Sequence, residues 1–452
     1  MTAPMTVTVR FAPSPTGLLH VGNVRAALLN WLFARQQGGR FMLRIDDTDT
    51  ERSRAEYETA IRADLSWLGL DWDLEARQSA RMERYNTVRD ELIARGLLYP
   101  CYETPEELEL KRKSLLGQGR PPVYDRAALR LSDADRAAFE AEGRRPHWRF
   151  KLGDTTVQWD DLIRGPQRFE PGHLSDPVLI RADGQYLYTL CSVVDDADFA
   201  MSHVVRGEDH VANTAVQMEL FAAIGASAPQ FAHYTLLSDT GGGKLSKRAG
   251  SLSVQGLRDE QGVEPLAINA YLGRIGTSDP IEPVAALDPL VAGFDFGKFA
   301  RNMPKFDDAE LTRLNTRILQ TTPYAAVAER LQAMAPVDEG FWAVVRPNIK
   351  RLGDVASWWA VAHGPVSPVI EDAAYIALAL ERLPAEPWNA DTWGVWTKAL
   401  SAETGRKGKQ LFMPLRQALT GMGQGPEMAP LLPLIGRVRA AARLRGEVGQ
   451  AP

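Results

Sequence analysis

The chain has 452 residues, 45% of them hydrophobic and 24% charged, which predicts a soluble globular protein of two or more domains. Its formal net charge of −5 at pH 7 argues against a general nucleic-acid binder, so any RNA contact must use local basic patches. With two isolated cysteines, no basic–apolar leader and no apolar run near the ~18 residues that span a bilayer, we expect a cytoplasmic protein without disulfides or membrane contact.

The first predicted elements are a strand, a tight loop and a helix. The alternating strand pattern ends at Phe11, prolines and a glycine interrupt regular structure over 12–20, and apolar residues recur at helical spacing over 21–37. This arrangement directs backbone N–H groups and the positive end of a helix at an anion. His20 lies where the loop becomes the helix, and Gly22 leaves room for a ligand near the backbone.

A second strand and helix follow directly. Residues 40–45 predict the strand and residues 53–68 predict the helix, an alternation typical of a parallel nucleotide-binding sheet. Ligands bind at the carboxyl ends of the strands in such sheets, and Ser14 and Asp46 lie there. Two further aspartates follow Asp46 within three residues, and they either cap the next helix or line the site.

Residues 77–185 interrupt the alternation and are interpreted as an insertion of helices and short strands. Within it, the segment RRPHWRFK at 144–151 holds five basic residues together with Trp148 and Phe150. A charged surface strand has this composition. An RNA-binding surface also has it, with Arg and Lys on phosphates and the rings stacked on bases. The sequence leaves both interpretations open.

The strand pattern returns towards the end of the insertion. Residues 176–180 predict a strand that resumes the sheet, and a turn signal at 183–184 lies between two strand-like runs, which predicts a hairpin. A further strand ends at Arg206 and precedes a helix. The side chains expected to share one crevice are Arg10, Ser14, Asp46, Tyr188, Ser192 and Arg206.

Two later regions complete the pattern. The segment GGGKLSKR at 241–248 contains Lys244 and Lys247, and taken alone it is typical of a flexible basic surface loop. Residues 310–450 are helical in periodicity almost throughout, which predicts an all-α bundle. The tryptophans predicted to lie in its core include Trp358, Trp359, Trp393 and Trp396.

Two short motifs carry a resemblance to a known family. PSPTGLLHVG at 13–22 and KLSKR at 244–248 lie more than two hundred residues apart and resemble the two signatures of class I aminoacyl-tRNA synthetases, in the form of the bacterial glutamyl group. The resemblance covers essentially the whole chain and is strongest in 6–70 and 176–250. It implies a multidomain fold, with an α/β Rossmann-type catalytic domain, an α+β insertion and an all-α C-terminal helical domain. The implied bounds are 1–76 and 186–235 for the catalytic domain, 77–185 for an acceptor-binding insertion, 236–309 for a stem-contact region with the KLSKR loop, and 310–452 for a helical anticodon-binding domain.

The resemblance also implies an activity and a site. The activity is glutamate–tRNA ligation, in which ATP activates L-glutamate to glutamyl-adenylate and the glutamyl group then passes to the 3′ end of tRNA-Glu. The implied catalytic residues are His20, Lys244 and Lys247. The implied ATP contacts are Pro13, Thr16, Gly17, His20, Gly22, Asn23, Lys244, Ser246 and Lys247. The implied glutamate contacts are Arg10, Ala12, Ser14, Asp46, Tyr188, Ser192 and Arg206.

The chemistry of glutamate suits these residue types. Arg10 and Arg206 can bind its two carboxylates, although the sequence leaves open which arginine takes which. Tyr188 can add a hydroxyl bond, and Asp46, at a position where the family usually has Glu, can take the ammonium group. Mg²⁺ is expected to accompany ATP, held largely by phosphates. Some bacterial relatives bind zinc in the insertion, but Cys101 has no second cysteine nearby, so we expect no zinc.

The expected partners are ATP, L-glutamate and tRNA-Glu, and charging of tRNA-Gln is left open. A monomer is expected from the family. Two alternatives remain: a relative that glutamylates a modified tRNA base, and a non-catalytic tRNA-binding paralogue. About 150 helical residues after the catalytic half argue against the first, and intact His20, Lys244 and Lys247 argue against the second.

Overall fold

The computed structural model describes residues 6–170, 174–239 and 252–448. The chain divides into two compact units, the first comprising Met1–Glu260 with Ile268–Asp307 and the second Gln261–Ala267 with Asp308–Pro452. Within the described ranges, no helix combines the length and the apolar character needed to cross a membrane.

A parallel sheet opens the first unit, as the alternation of elements predicts. Its strands and connecting helices are β1 (Thr8–Phe11), α1 (Val21–Gln36), β2 (Arg40–Ile45), α2 (Ala55–Trp67) and β3 (Leu74–Arg77), with β2 between β1 and β3. Gly38 has a positive φ of 59° after α1. A Cβ on Gly39 would lie only 2.4 Å from the carbonyl oxygen of Val7. The two glycines therefore end the helix and let the chain return against β1.

A second parallel pair lies beside β1. Its elements are α6 (Tyr188–Asp198), β9 (His203–Gly207), α7 (Val211–Ala223) and β10 (Gln230–Tyr234), in which β9 pairs with β10. The backbone N–H of Ser202, which precedes β9, donates to the Thr8 carbonyl at 2.9 Å, and the N–H of Thr8 donates to the Ser202 hydroxyl at 2.8 Å. These bonds hold the start of β9 against β1 and bring Arg206 and Arg10 into one region.

The residues between β3 and α6 form helices and antiparallel strands. The elements are α3 (Met82–Ala94), β4 (Leu98–Cys101), α4 (Pro105–Gly117), α5 (Asp133–Ala141), β5 (His147–Phe150), β6 (Val157–Asp161), β7 (Gly165–Phe169) and β8 (Val178–Ile180). One sheet has the order β4-β5-β8, and β6 with β7 forms a hairpin. The expectation that residues 176–180 resume the first sheet is therefore wrong, because β8 pairs with β5.

The hairpin predicted around 183–184 is limited to one antiparallel bridge, between Ile180 and Tyr186. The chain does turn there, with the N–H of Arg181 donating to the Gln185 carbonyl, but the second run is helix α6. Valine, threonine and tyrosine in this run favour a strand locally. Its buried residues, however, include Leu190, Val193 and Val194, a helical spacing that packs α6 into the core.

The basic segment 144–151 holds one of its two rings in the core. Phe150 is 2% exposed in β5, Trp148 packs against the same core, and Arg149 is buried with its guanidinium 4.2 Å from the ring centroid of Tyr124. The ring of Phe150 is therefore too buried to stack on a base, whereas Trp148 is only partly buried. The interpretation of stacked bases is wrong for Phe150 and stays a prediction for Trp148.

Helices follow after residue 252. They are α8 (Pro265–Arg274), α9 (Asp288–Gly293), α10 (Asp308–Thr321), α11 (Ala328–Met334), α12 (Glu339–Val345), α13 (Asp354–His363), α14 (Ala373–Glu381), α15 (Thr392–Thr404), α16 (Lys409–Thr420), α17 (Met428–Ile435) and α18 (Arg437–Leu444). Trp358 and Trp396 are buried in two apolar cores of the second unit, and Trp359 and Trp393 pack against them. The all-α prediction and the core placement of these tryptophans are confirmed.

Candidate active site

The loop 12–20 is fixed to the ends of two neighbouring elements. The Pro13 carbonyl accepts the N–H of Asp46 at 3.0 Å, directly after β2, and the Pro15 carbonyl accepts the N–H of Arg54 at 2.9 Å. Ser14 and Thr16 remain exposed on this anchored loop, whereas Ala12 and Gly17 are partly buried. The predicted residues of the first motif therefore line the edge where the strands end.

His20 is the N-cap of α1. Its Nδ1 accepts the N–H of Gly22 at 3.1 Å, and its own backbone N–H donates to Oδ1 of Asn23 at 3.3 Å. A Cβ on Gly22 would lie 2.9 Å from Cε1 of His20. Gly22 thus makes room for the imidazole itself, and Asn23 closes the cap. The exposed ring is held at a helix N-terminus, where an anion is favoured.

The second motif lies outside the described residues, and with it Lys244, Ser246 and Lys247. The segment that follows it is described. Leu252 accepts the N–H of Val21 at 3.1 Å, and the N–H of Val254 donates to the Leu19 carbonyl at 2.9 Å. Ser253 therefore pairs with His20 in an antiparallel bridge. Residues 252–254, which follow the second motif in the chain, therefore lie beside the first motif.

Arg44 and Asp46 form the centre of a buried charge cluster. Nε and Nη2 of Arg44 donate to the two carboxylate oxygens of Asp46 at 2.7 and 3.0 Å, and Nη2 lies 3.3 Å from the Ser192 hydroxyl. Burial raises the pKa of Asp46 to about 6, although Arg44 pulls it downwards. A carboxylate has about four lone-pair sites, so Asp46 keeps acceptor capacity for a further cation.

Arg10 is joined to the same cluster through Asp196. Its Nε and Nη2 donate to the two Asp196 oxygens at 3.0 and 3.1 Å, and Arg44 donates to Oδ1 of Asp196 at 2.8 Å. Burial would raise the pKa of Asp196, but Arg10 and Arg44 outweigh it and hold the pKa below its usual range. Nη1 of Arg10 has no hydrogen bond to any residue in the described ranges.

Arg206 differs from the other two arginines because its partners are neutral. It is 7% exposed, and burial lowers the pKa of its guanidinium. Its acceptors are the Tyr188 hydroxyl at 2.9 Å, His233 Nε2 at 3.2 Å, Thr214 Oγ1 at 2.6 Å, Gln217 Oε1 at 2.7 Å and the His210 carbonyl at 3.5 Å. No carboxylate in the described part of the chain forms an ion pair with it.

The pKa of Tyr188 reflects an excess of positive charge around its hydroxyl group. Burial alone would raise the pKa of its hydroxyl, but the charges of Arg206 and Arg10 outweigh burial and lower the pKa. A buried guanidinium without a counter-ion is unfavourable unless an anion joins it. The arrangement can therefore bind a carboxylate beside Arg206 and Tyr188.

Of the residues expected to share a crevice, the structure links Arg10, Asp46 and Ser192 through one charge cluster and joins Tyr188 to Arg206, while Ser14 is exposed on the loop. It adds two residues that the sequence interpretation missed. These are Arg44, inside the apolar strand β2, and Asp196, near the end of α6. An arginine between Leu43 and Ile45 in a buried strand was the available signal, because such a charge needs a counter-ion.

Cys101 also has neighbours that spacing alone did not reveal. Ligand atoms of Cys101, Glu103 and His147 lie within 4.8 Å of one another, and Glu103 Oε2 and His147 Nε2 are buried without a hydrogen-bond partner among the described residues. The other Glu103 oxygen accepts from Tyr124 at 2.8 Å and from Lys111 at 3.4 Å.

This cluster fits a structural zinc ion incompletely. It supplies three ligands among the described residues, whereas closed zinc sites use four. Burial and the charge of Arg149 lower the pKa of His147 to about 4. Burial also raises the pKa of the Cys101 thiol to about 12. The expectation that Cys101 lacks neighbouring ligands is therefore wrong. The described residues nevertheless supply only three of the four ligands of a closed zinc site.

Comparison with known proteins gives matches over both units. A family model described as "tRNA synthetases class I (E and Q), catalytic domain" matches residues 6–312. A second, described as "Anticodon binding domain", matches residues 339–447.

Individual relatives match along nearly their full length. The glutamate–tRNA ligase of Azospirillum brasilense is 59% identical over 446 residues, which is 98% of this chain and 100% of that protein. Glutamate–tRNA ligase 1 of Maricaulis maris is 56% identical, covering 97% and 99%. The crystal structure of a glutamate tRNA ligase from Elizabethkingia meningosepticum in complex with its amino acid superposes with a TM-score of 0.85 at 26% identity, covering 97% and 98%.

Proposed function

The chain belongs to the class I tRNA synthetases of the glutamyl and glutaminyl group and is a glutamate–tRNA ligase, and from this premise we propose that the charge cluster around Arg206 is its glutamate site. The observation that carries this proposal is the buried Arg206 guanidinium with neutral partners. A ligand carboxylate supplies the missing negative charge, and charge-assisted bonds to a guanidinium are the strong ones.

Glutamate offers two carboxylates and one ammonium group to this site. One carboxylate binds Arg206 and the Tyr188 hydroxyl, and the other binds Arg10, whose Nη1 is still available. Asp46 takes the ammonium group through the lone pairs that Arg44 does not use. Ala12, Ser14 and Ser192 complete the surroundings of the amino acid.

The reaction then proceeds in two steps. An oxygen of the glutamate α-carboxylate attacks the α-phosphorus of ATP, a P–O bond forms, and the bond to pyrophosphate breaks. The terminal hydroxyl of the tRNA next attacks the activated carbonyl and releases AMP. Positioning and electrostatic stabilisation carry most of the catalysis of such transfers.

His20, Lys244 and Lys247 are the groups proposed to stabilise negative charge on the phosphate oxygens. The fixed imidazole of His20 lies beside the chain that leaves the second motif, which supports the pairing of the two motifs around ATP. The other proposed ATP contacts are Pro13, Thr16, Gly17, Gly22, Asn23 and Ser246. Mg²⁺ is proposed to neutralise the phosphates that hold it.

The tRNA is proposed to contact three parts of the chain. These are residues 77–185 at the acceptor end, 236–309 along the stem and 310–452 at the anticodon, the last of which contains the match to an anticodon binding domain. This helical half argues against a truncated enzyme that modifies a tRNA base. The proposed substrate is tRNA-Glu, with tRNA-Gln as a second candidate, and the proposed state is a cytoplasmic monomer.

Exchange of pyrophosphate into ATP tests the site. With tRNA-Glu present, exchange should depend on glutamate, and Arg206→Ala should raise the Michaelis constant for glutamate far more than that for ATP. Glu56→Gln, which alters an exposed carboxylate of α2, is the control. Equal effects of Arg206→Ala on both constants would remove Arg206 from the glutamate site. Charging of purified tRNA-Glu and tRNA-Gln then identifies the acceptor.

A further inference from the structure

His233 lies behind Arg206, on the neighbouring strand β10. Its Nε2 is 3.2 Å from Nε of Arg206 and 3.0 Å from the Thr214 hydroxyl, and its Nδ1 contacts a carboxylate oxygen of Asp161. The side chains of His233 and Asp161 are both fully buried. A connected line of three side chains thus runs from Asp161 through the imidazole to Arg206.

The donors in this line fix the histidine tautomer. A guanidinium only donates, so Nε2 of His233 must be unprotonated to accept from Arg206. The single ring proton therefore lies on Nδ1 and is donated to Asp161. Burial and the charge of Arg206 lower the pKa of His233, in agreement with a neutral ring.

Asp161 is itself held rigidly. Its Oδ1 accepts three backbone N–H groups, from His233 at 3.1 Å, Ile163 at 3.1 Å and Arg164 at 3.0 Å. These bonds favour the carboxylate, whose pKa lies below its usual range although burial opposes this. The negative end of the line is therefore a fixed ionised group, placed by the β6–β7 hairpin.

These contacts determine which N–H groups of Arg206 remain free to bind a ligand. Nε is taken by His233, and both hydrogens of Nη2 are taken by Thr214 and Gln217. One Nη1 hydrogen donates to Tyr188, which leaves a single Nη1 hydrogen for a ligand. If His233 turned its protonated nitrogen towards Arg206, two donors would face each other and the guanidinium would move.

We infer that Asp161 and His233 are positioning residues for glutamate binding: Asp161 fixes the His233 tautomer, and His233 orients Arg206 towards the substrate carboxylate. The inference rests on the proposed assignment of Arg206 to a glutamate carboxylate. Asp161 belongs to the segment proposed to bind the tRNA acceptor end, and the amide of Leu162, which follows it, donates to Phe231 in β10 at 2.9 Å. The hairpin that carries Asp161 is thereby joined to the glutamate pocket.

Asp161→Asn is the principal test. Its amide can donate to Nδ1 and place the ring proton on Nε2, opposite Arg206. We expect the Michaelis constant for glutamate to rise about 10–100-fold, the usual cost of a lost orienting partner, with that for ATP within about twofold. Glu56→Gln makes the same chemical change at an exposed carboxylate of α2, outside the segments proposed to bind tRNA, and should leave both constants unchanged.

Two variants of His233 that carry the same amide group provide a comparison. His233→Gln can keep an acceptor for Arg206, whereas His233→Asn can keep a donor for Asp161 but loses that acceptor. We expect Gln to retain glutamate affinity better than Asn by about tenfold. Equal constants for the two variants, both indistinguishable from the unmodified enzyme, would overturn the positioning role. Should Asp161→Asn not fold, as judged by circular dichroism, the His233 pair decides alone.

Arg206→Lys distinguishes a failure of the proposed glutamate assignment of Arg206 from a failure of the positioning role of Asp161 and His233. If it leaves the glutamate constant unchanged, the proposed assignment of Arg206 is wrong. If it raises that constant while Asp161→Asn and both His233 variants do not, Arg206 binds glutamate without their help and only the inference fails. If all raise the glutamate constant and spare that for ATP, both stand.

Discussion

Arg44 binds both oxygens of Asp46 at 2.7 and 3.0 Å, so the carboxylate proposed to hold the substrate ammonium is already paired inside the protein. The same guanidinium donates to Asp196 at 2.8 Å and lies 3.6 Å from Asp195. One buried cation therefore serves three carboxylates. The pocket for glutamate depends on a residue that is not expected to touch glutamate.

Removing this cation should destabilise the first unit. Arg44→Met leaves Asp46, Asp195 and Asp196 with too little positive charge, and losing one partner of a buried ion pair costs about 3–5 kcal/mol. Urea unfolding followed by circular dichroism measures the loss. Arg84→Met, which removes a 42% exposed partner of Asp198, is the control and should cost about 1 kcal/mol or less. Equal losses for the two variants would contradict the central role of Arg44.

The pH dependence of glutamate use should follow Asp46. Because burial raises its pKa to about 6, Asp46 is ionised above that pH and protonated below it, and only the ionised form offsets an ammonium group. We expect kcat/KM for glutamate to fall by about tenfold per pH unit below 6, since this quantity reports the free enzyme. Asp46→Asn should lower kcat/KM at pH 8 and lose this step. A step that persists in Asp46→Asn belongs to another group.

How far the sequence predicts this fold depends on whether the signal is local. The elements β1, α1 and β2 agree with expectation because apolar spacing and the glycines at 38–39 are local features. The prediction of a strand in place of α6 was wrong. Its β-branched residues favour a strand locally, but packing against the core stabilises a helix.

The site shows the same division. The motif residues were placed by resemblance, but the bond from Arg44 to Asp196 joins residues 152 positions apart, and that from Arg10 spans 186. Arg44 is visible in the sequence as a charge inside an apolar strand. No local pattern, however, identifies its counter-ion, and the same is true of His233 and Asp161.

Gly22 should be required for activity because any larger residue would displace the His20 ring. An added methyl group in Gly22→Ala would lie 2.9 Å from Cε1 and 3.1 Å from Nδ1 of His20, so the imidazole must move. We expect kcat for pyrophosphate exchange to fall about 10–100-fold, with little change in the Michaelis constant for glutamate. Gly394→Ala in α15, where nothing lies within 4 Å of the new methyl, is the control. Unchanged kcat in Gly22→Ala would show that the ring position does not matter.

Lys247 should affect the rate rather than glutamate affinity. The residue lies outside the described ranges, but the chain just beyond it pairs with residues flanking His20. Lys247→Ala should raise the barrier to activation by about 2–4 kcal/mol, the cost of losing one preorganised donor in the transition state. Single-turnover formation of glutamyl-adenylate measures this step. A near-normal rate would remove Lys247 from catalysis.

The insertion should hold less than one zinc per chain. The described residues offer three ligands, one short of a closed site, and burial raises the pKa of the Cys101 thiol to about 12, which makes the thiolate ligand costly to form. Elemental analysis of the purified protein measures the content. Cys101→Ser should change the melting temperature little, and chelators should have no effect. One tightly bound zinc that disappears in Cys101→Ser would show that Glu103 and His147 complete a metal site with it.

Free glutamine should be rejected strongly. Glutamine keeps the α-carboxylate but has a neutral amide in place of the side-chain carboxylate, so the arginine that faces the side chain loses its charge-assisted pair with the ligand. Sites built around one polar partner discriminate by about 10⁴–10⁵-fold, and we expect kcat/KM for glutamine to be lower by that order. Arg206→Lys and Arg10→Lys should each raise the glutamate constant, since an ammonium group cannot keep the protein partners of the guanidinium and also reach the ligand. Arg10→Lys also weakens the bidentate pair with Asp196, so it should lower stability as well as affinity. If both lysine variants keep unmodified glutamate constants and still exclude glutamine, the discrimination lies outside these two arginines.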